Sequence, residues 1–280
     1  MFGDFWVRIF RPNELMISNA ISTLYRELIS LGAADVIVAN EVAAFELATE
    51  QVGKPNLVGE HFRRTLNTLP PDQVLWAGVY DSSGECACTV ASQHLPFADR
   101  SLERHVIEFF ERCFEAEGGG NVEIRRGSFA FLDLAAGPFV YVGEGHVRSD
   151  ARGKNYLGLL QRLLILSAYY KWQPNLVYGF MEPRMIQRGY HTNWGYSIAR
   201  PSGVIWQKQP AMSVWRDPYF VGLASEGICR LVEDPLMHGS ARRSENSKTE
   251  TNIHKLSETA VSDADNEVAQ AERQKSAIPS

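Results

Sequence analysis

The sequence predicts an α/β (α+β) fold, a single domain with a mixed central sheet flanked by helices, followed by a disordered C-terminal tail. Three observations carry this reading. Helical spacing of apolar residues opens the chain and gives way to strand-like runs bounded by turn residues. From Phe139 to Phe180 the order strand, helix, strand appears, which after a hairpin reads as a mixed sheet. Beyond Gly239 the apolar content collapses. With 280 residues, 45% of them hydrophobic, the chain can bury one sizeable core or two small ones.

Asn13–Leu31 places Ile17, Ile21, Leu24, Leu28 and Leu31 at helical spacing, with Gly32 as a stop. Val36–Gln51 and Leu57–Leu66 read as two more helices. Gln73–Tyr80 and Cys86–Phe97 are strand-like, and the turn sequence Asp81-Ser82-Ser83-Gly84 between them predicts a β-hairpin. Asp99–Glu117 reads as a helix closed by Gly118-Gly119-Gly120. Strands are expected at Val122–Arg126, Phe129–Leu134 and Phe139–Val147. Lys154–Lys171 is the strongest helix, with Leu159, Leu160, Leu163, Leu164 and Leu166 giving a buried pattern. Asn175–Phe180 is a short apolar strand, and Pro183–Asn193 a helix with proline in its first turn. Trp194–Ala199 and Val204–Arg216 finish the sheet. Ala241–Ser280 has no aromatic residue and few aliphatics, too little to offset its ordering entropy. The domain is therefore expected over 1–239 and a disordered polar tail over 240–280.

Composition narrows the function. The formal net charge of -5 disfavours a nucleic-acid binder, which usually carries a strong positive excess. The first residues, with Asp4 and Arg8, do not form a secretory signal. No run of about 18 uncharged apolar residues occurs, so no membrane span is expected. The four cysteines, Cys86, Cys88, Cys113 and Cys229, lack the ligand set of a zinc site and read as reduced thiols. No metal is expected, and the location expected is cytoplasmic.

The segment Phe139–Arg162 is the most informative. A strand-like run stops at Val147; the basic turn Arg148-Ser149-Asp150-Ala151-Arg152-Gly153-Lys154 follows, and an apolar helix begins. That order aims backbone N–H groups at a phosphate. The helix N-terminus adds about half a positive charge. Val147 stands five residues before Arg152, and Arg152-Gly153-Lys154 opens the helix. In these motifs the chain resembles the GNAT superfamily of acetyl-CoA-dependent N-acetyltransferases. The hairpin resembles that family's second and third strands, and Gly195-Tyr196 its Gly-Phe/Tyr pair. The resemblance implies a GNAT-like domain, acetyl-CoA or another acyl-CoA as co-substrate, and an amine acceptor. It assigns the cofactor to Val147, Arg148, Arg152, Gly153, Lys154, Asn155 and Gly158. The second and third small positions of the family signature are Asn155 and Leu157 here, where glycine or alanine is usual.

Acyl transfer to an amine requires deprotonating the amine and protonating the leaving thiolate. Glu144, on the strand that ends at Val147, is the candidate base, and His146 shares its face by the two-residue period. The family's tyrosine acid falls by count on His191, adjacent to Tyr190, and both stay open. Two alternatives also stand: a binding or regulatory module that has lost CoA, and an acyltransferase with a long-chain or non-CoA donor. The long segment Asp99–Phe139 would then form a lid, an acyl pocket or an oligomer surface. A homodimer is left open.

Overall fold

The computed structural model describes residues 12–55, 58–97, 101–132, 137–212 and 215–237. The chain divides into a unit over Met1–Leu236 and another over Met237–Ser280. The boundary expected near residue 239 and the polar tail lie outside the described residues.

The first unit begins with α1 (Glu14–Ser30), β1 (Asp35–Ala39), α2 (Val42–Gln51), β2 (Val74–Tyr80), β3 (Cys86–Leu95), α3 (Leu102–Cys113) and β4 (Glu123–Ile124). It continues with β5 (Phe139–Val147), α4 (Tyr156–Trp172), β6 (Leu176–Met181), α5 (Pro183–Gln187) and α6 (Tyr190–Asn193). The last elements are β7 (Ile198–Pro201), β8 (Trp206–Lys208), β9 (Tyr219–Ala224) and α7 (Ser225–Glu233). One seven-stranded sheet has the order β1-β2-β3-β5-β6-β9-β7, and β4 pairs with β8 in a separate two-stranded sheet. All neighbours in the large sheet are antiparallel except β5 and β6. A parallel pair needs a crossover, and α4 supplies it.

Two apolar layers cover the sheet. On one, α1 buries Ile17, Ala20, Leu24 and Leu28 against α4, whose Leu159, Leu160, Leu163, Leu164 and Leu166 are buried, with α7 beside them. Asn13 starts α1 by accepting the Met16 N–H at 2.9 Å. The other layer is aromatic: Phe45, Phe62, Trp76, Phe110, Phe129, Phe139 and Tyr178 pack together. The segment expected as a lid, acyl pocket or oligomer surface contributes α3 and Phe129 to this layer.

Several sequence expectations are corrected. Val36–Ala39 is strand β1, not the start of a helix, and pairs with Trp76–Val79. Within Leu57–Leu66 the described helix is a single 3-10 turn, Glu60–Phe62. Ala130–Leu132 is another 3-10 turn where a strand was expected. The Pro183–Asn193 helix breaks in two at Gly189, whose φ of +74 no helix accommodates. Strand β9 enters the sheet between β6 and β7. Among the described residues no helix is long and apolar enough to cross a membrane, and no group of three His, Cys, Asp or Glu side chains could hold a metal.

His61 is buried in the aromatic layer, its ring centroid 3.6 Å from Tyr141 and 3.9 Å from Phe109. Burial pushes its pKa well below the ordinary 6.5, and the charges of His105 and Arg112 add to this. The unfolded chain therefore takes up a proton below that value that the folded chain refuses. Stability from this group is complete above 6.5 and is lost as the pH falls, by up to about 1.4 kcal/mol per pH unit. Urea midpoints measured against pH should show this loss, and His61→Phe should flatten the slope; an unchanged slope in the variant would refute it.

Candidate active site: a groove and a cavity that meet at His146

β5 and β6 are neighbours only over Phe139–Tyr141 and Leu176–Tyr178. Beyond that, β6 stays with β9 to Met181 and β5 stays with β3 to Val147. The strands part because β5 carries a bulge. β3 advances two residues, from Ala91 to Thr89, while β5 advances three, from Gly143 to His146. Glu144 takes a φ of 62. An inserted residue bends its strand and raises the twist. Past the bulge, Val147 pairs with Cys88, and the Arg148 N–H donates to Ala87 O at 2.9 Å. In this pattern the N–H and C=O of Val147 itself point to the open edge.

The gap leads to the start of α4. The Leu159 N–H bonds Asn155 O at 3.3 Å. The N–H groups of Tyr156, Leu157 and Gly158 therefore have no carbonyl one turn back. The Asn155 side chain does not cap them. Its Oδ1 instead accepts from Asn193 Nδ2 at 2.9 Å. A groove of about 520 Å³ lies here. Its walls are Gly145, His146 and Val147 from β5, Ala151, Arg152 and Gly153 from the turn, Asn155 to Gly158 at the helix start, and Met185, Tyr190, Asn193 and Trp194 opposite.

The two unusual residues of the turn are accommodated by their neighbours. Asn155 has a φ of 57, in the left-handed region where asparagine substitutes for glycine most readily. Leu157 packs toward Gly145, where an added Cβ would stand 3.0 Å from Leu157 Cδ1. The strand glycine leaves room for the leucine side chain, and the groove stays open with Leu157 in its wall. Gly158 makes room for the Asn155–Asn193 bridge: a Cβ there would lie 2.6 Å from Asn155 Oδ1 and 2.7 Å from Asn193 Nδ2.

A second cavity, of about 640 Å³, shares His146 with the groove. Glu144, Lys54, Glu60, Glu115, Cys113 and Trp215 also line it. The Glu144 carboxylate accepts the Lys54 ammonium and, at 2.8 Å, the Gly59 N–H. With side-chain exposures of 17% for Lys54 and 8% for Glu144, this pair is sheltered. The pKa of half-buried His146 is lowered, by burial first and then by the charges of Lys54 and Arg152. It is therefore neutral near pH 7 and able to accept a proton.

The structure brings Val147, Arg152, Gly153, Asn155, Gly158 and Tyr190 into the groove and sets Glu144 and His146 at the cavity. Arg148 is not free for a phosphate. Its N–H is spent on β3, and its guanidinium bonds Asp81, Asp150 and the Cys86 carbonyl. Lys154 stands outside the groove walls, its Nζ 5.5 Å over the Tyr156 ring. His191 is also outside them; its Nε2 lies 3.2 Å from Thr192 Oγ1, and burial lowers its pKa. Sequence reasoning missed Gly145, Lys54 and Asn193. Two glycines inside one strand, Gly143 and Gly145, are a bulge signal. Lys54 and Asn193 meet their partners across 90 and 38 residues and carry no local signal.

No protein-family model and no curated relative matches the chain. Among solved structures it is similar to Arabidopsis thaliana NAA60 in complex with acetyl-CoA, at 12% identity and a TM-score of 0.41, covering 68% of this chain and 98% of that one. It is also similar to the aminoglycoside acetyltransferase AAC(6')-Ib in complex with coenzyme A and kanamycin, at 9% identity and a TM-score of 0.37, over 70% and 98% of the two chains.

The packing of Leu157 on Gly145 makes a coupled pair. Gly145→Val should destabilise the fold by about 1–3 kcal/mol through overpacking. Combining it with Leu157→Ala should recover most of that loss, a non-additivity that urea denaturation of the two single variants and the double variant would read. Strictly additive changes would contradict the contact.

Proposed function

We propose that the chain is an N-acyltransferase that moves an acetyl or other acyl group from acyl-CoA to a primary amine by direct attack in a ternary complex. The observation that carries this reading is the junction at His146. A groove bordered by a helix N-terminus and a bare strand edge meets there a cavity that holds a carboxylate.

The residues present fit coenzyme A. Three N–H groups without intrahelical partners, those of Tyr156, Leu157 and Gly158, suit a diphosphate, and Arg152 adds a formal charge beside them. The open edge of Val147 offers one donor and one acceptor to an amide-bearing arm. Coenzyme A, when bound, supplies the thioester that activates the acyl group. The protein's own part is to position and to move protons. His146 takes a proton from the incoming ammonium, with Glu144 holding positive charge beside it. Tyr190, on the groove wall, returns a proton to the leaving thiolate. The compensated positions of Asn155 and Leu157 support a working donor site over a module that has lost it.

The test is thiol release from acetyl-CoA in the presence of a panel of primary amines. His146→Gln and Tyr190→Phe should each lower kcat by about 10²–10⁴-fold while leaving the affinity for acetyl-CoA within a few-fold. A base works only when deprotonated, and the pKa of His146 is lowered from 6.5. The acid limb of the wild-type profile should therefore lie below that value and vanish in His146→Gln. Full activity in both variants would refute these roles.

A further inference from the structure

Among the described lysines, Lys54, Lys154, Lys171 and Lys208, Lys54 alone lines either the groove or the cavity that meets it. The chain delivers it there. After α2 ends at Gln51, the buried Val52 anchors the turn, and the Lys54 N–H reaches back to Thr49 O at 3.4 Å. The Lys54 ammonium then rests on Glu144, whose carboxylate is independently held by the Gly59 N–H. Glu144 lies next to Gly145 of the groove wall and two residues from His146, which borders both spaces. A primary amine of the chain thus sits on the acceptor side, beside a group placed to take its proton.

We infer that Lys54 is an acceptor, acylated at Nζ by the donor that the groove binds. This rests on the transferase reading above. An N–C bond forms between Lys54 Nζ and the acyl carbon, and the carbon–sulfur bond to coenzyme A breaks. One proton of the ammonium leaves through His146 to water, and a second ends on the departing sulfur, giving a free thiol and a neutral amide. The amide no longer pairs with Glu144. Acylation therefore frees that carboxylate for the ammonium of another acceptor.

The experiment incubates the full-length protein with acetyl-CoA alone, without added amine, and follows intact mass and the modified peptide. Acetyl-CoA binding is measured in parallel by thermal shift. One acetyl group per chain is expected, on Lys54, suppressed by excess free coenzyme A and slowed about 10²-fold in His146→Gln. Lys54→Arg should bind acetyl-CoA and gain no label. Binding without label on Lys54, or label spread over Lys171 and Lys208 as in heat-unfolded protein, would overturn the assignment and leave the transferase reading standing. Absence of acetyl-CoA binding would overturn both.

Discussion

One extra residue in β5 governs the geometry of the whole site. With Glu144 in the left-handed region, β5 bends away from β6, its far edge is bared at Val147, and His146 comes to border both the groove and the second cavity. Without that insertion the two-residue period would run on, and every side chain beyond it would change faces. A non-glycine residue in this region costs about 1–3 kcal/mol. The hydrogen bonds to its carboxylate from Lys54 and the Gly59 N–H are charge-assisted and sheltered, and such bonds contribute about 1.5–3 kcal/mol each. The same contacts that hold Glu144 at the cavity therefore offset the strain that opens the groove.

The start of α4 shows the same coupling between distant choices. A left-handed Asn155, a leucine against a strand glycine, and a helix glycine under an asparagine bridge stand side by side there. Each departure is met by a partner on another element: Asn193 on α6 for Asn155, Gly145 on β5 for Leu157.

Much of this was readable in the residues. The burial of most of α4 followed from its leucines, the hairpin from Asp81–Gly84, and the strand–turn–helix order from Phe139 onward. Other parts were hidden for physical reasons. Val36–Ala39 is apolar and abuts α2 after two residues, so its strand merged with the helix pattern, and only pairing with β2 separates them. β9 was missed although Tyr219–Ala224 is apolar, and its place between β6 and β7 is set by tertiary pairing. At the site, the basic residues of the turn looked equivalent. Arg148 is drawn off by Asp81, 67 residues earlier, while Arg152 stays at the groove. The Lys54–Glu144 pair, 90 residues apart, is a product of the fold and of no local motif.

The central claim is that backbone groups at the parting of β5 and β6 and at the head of α4 receive coenzyme A. Amide NMR of the labelled protein during a coenzyme A titration addresses it directly. The largest shifts should fall on the N–H groups of Val147, Tyr156, Leu157 and Gly158, with little change at Arg148, whose N–H is already bonded to β3. A titration that saturates while those four signals stay in place, or that shows no binding, would contradict it.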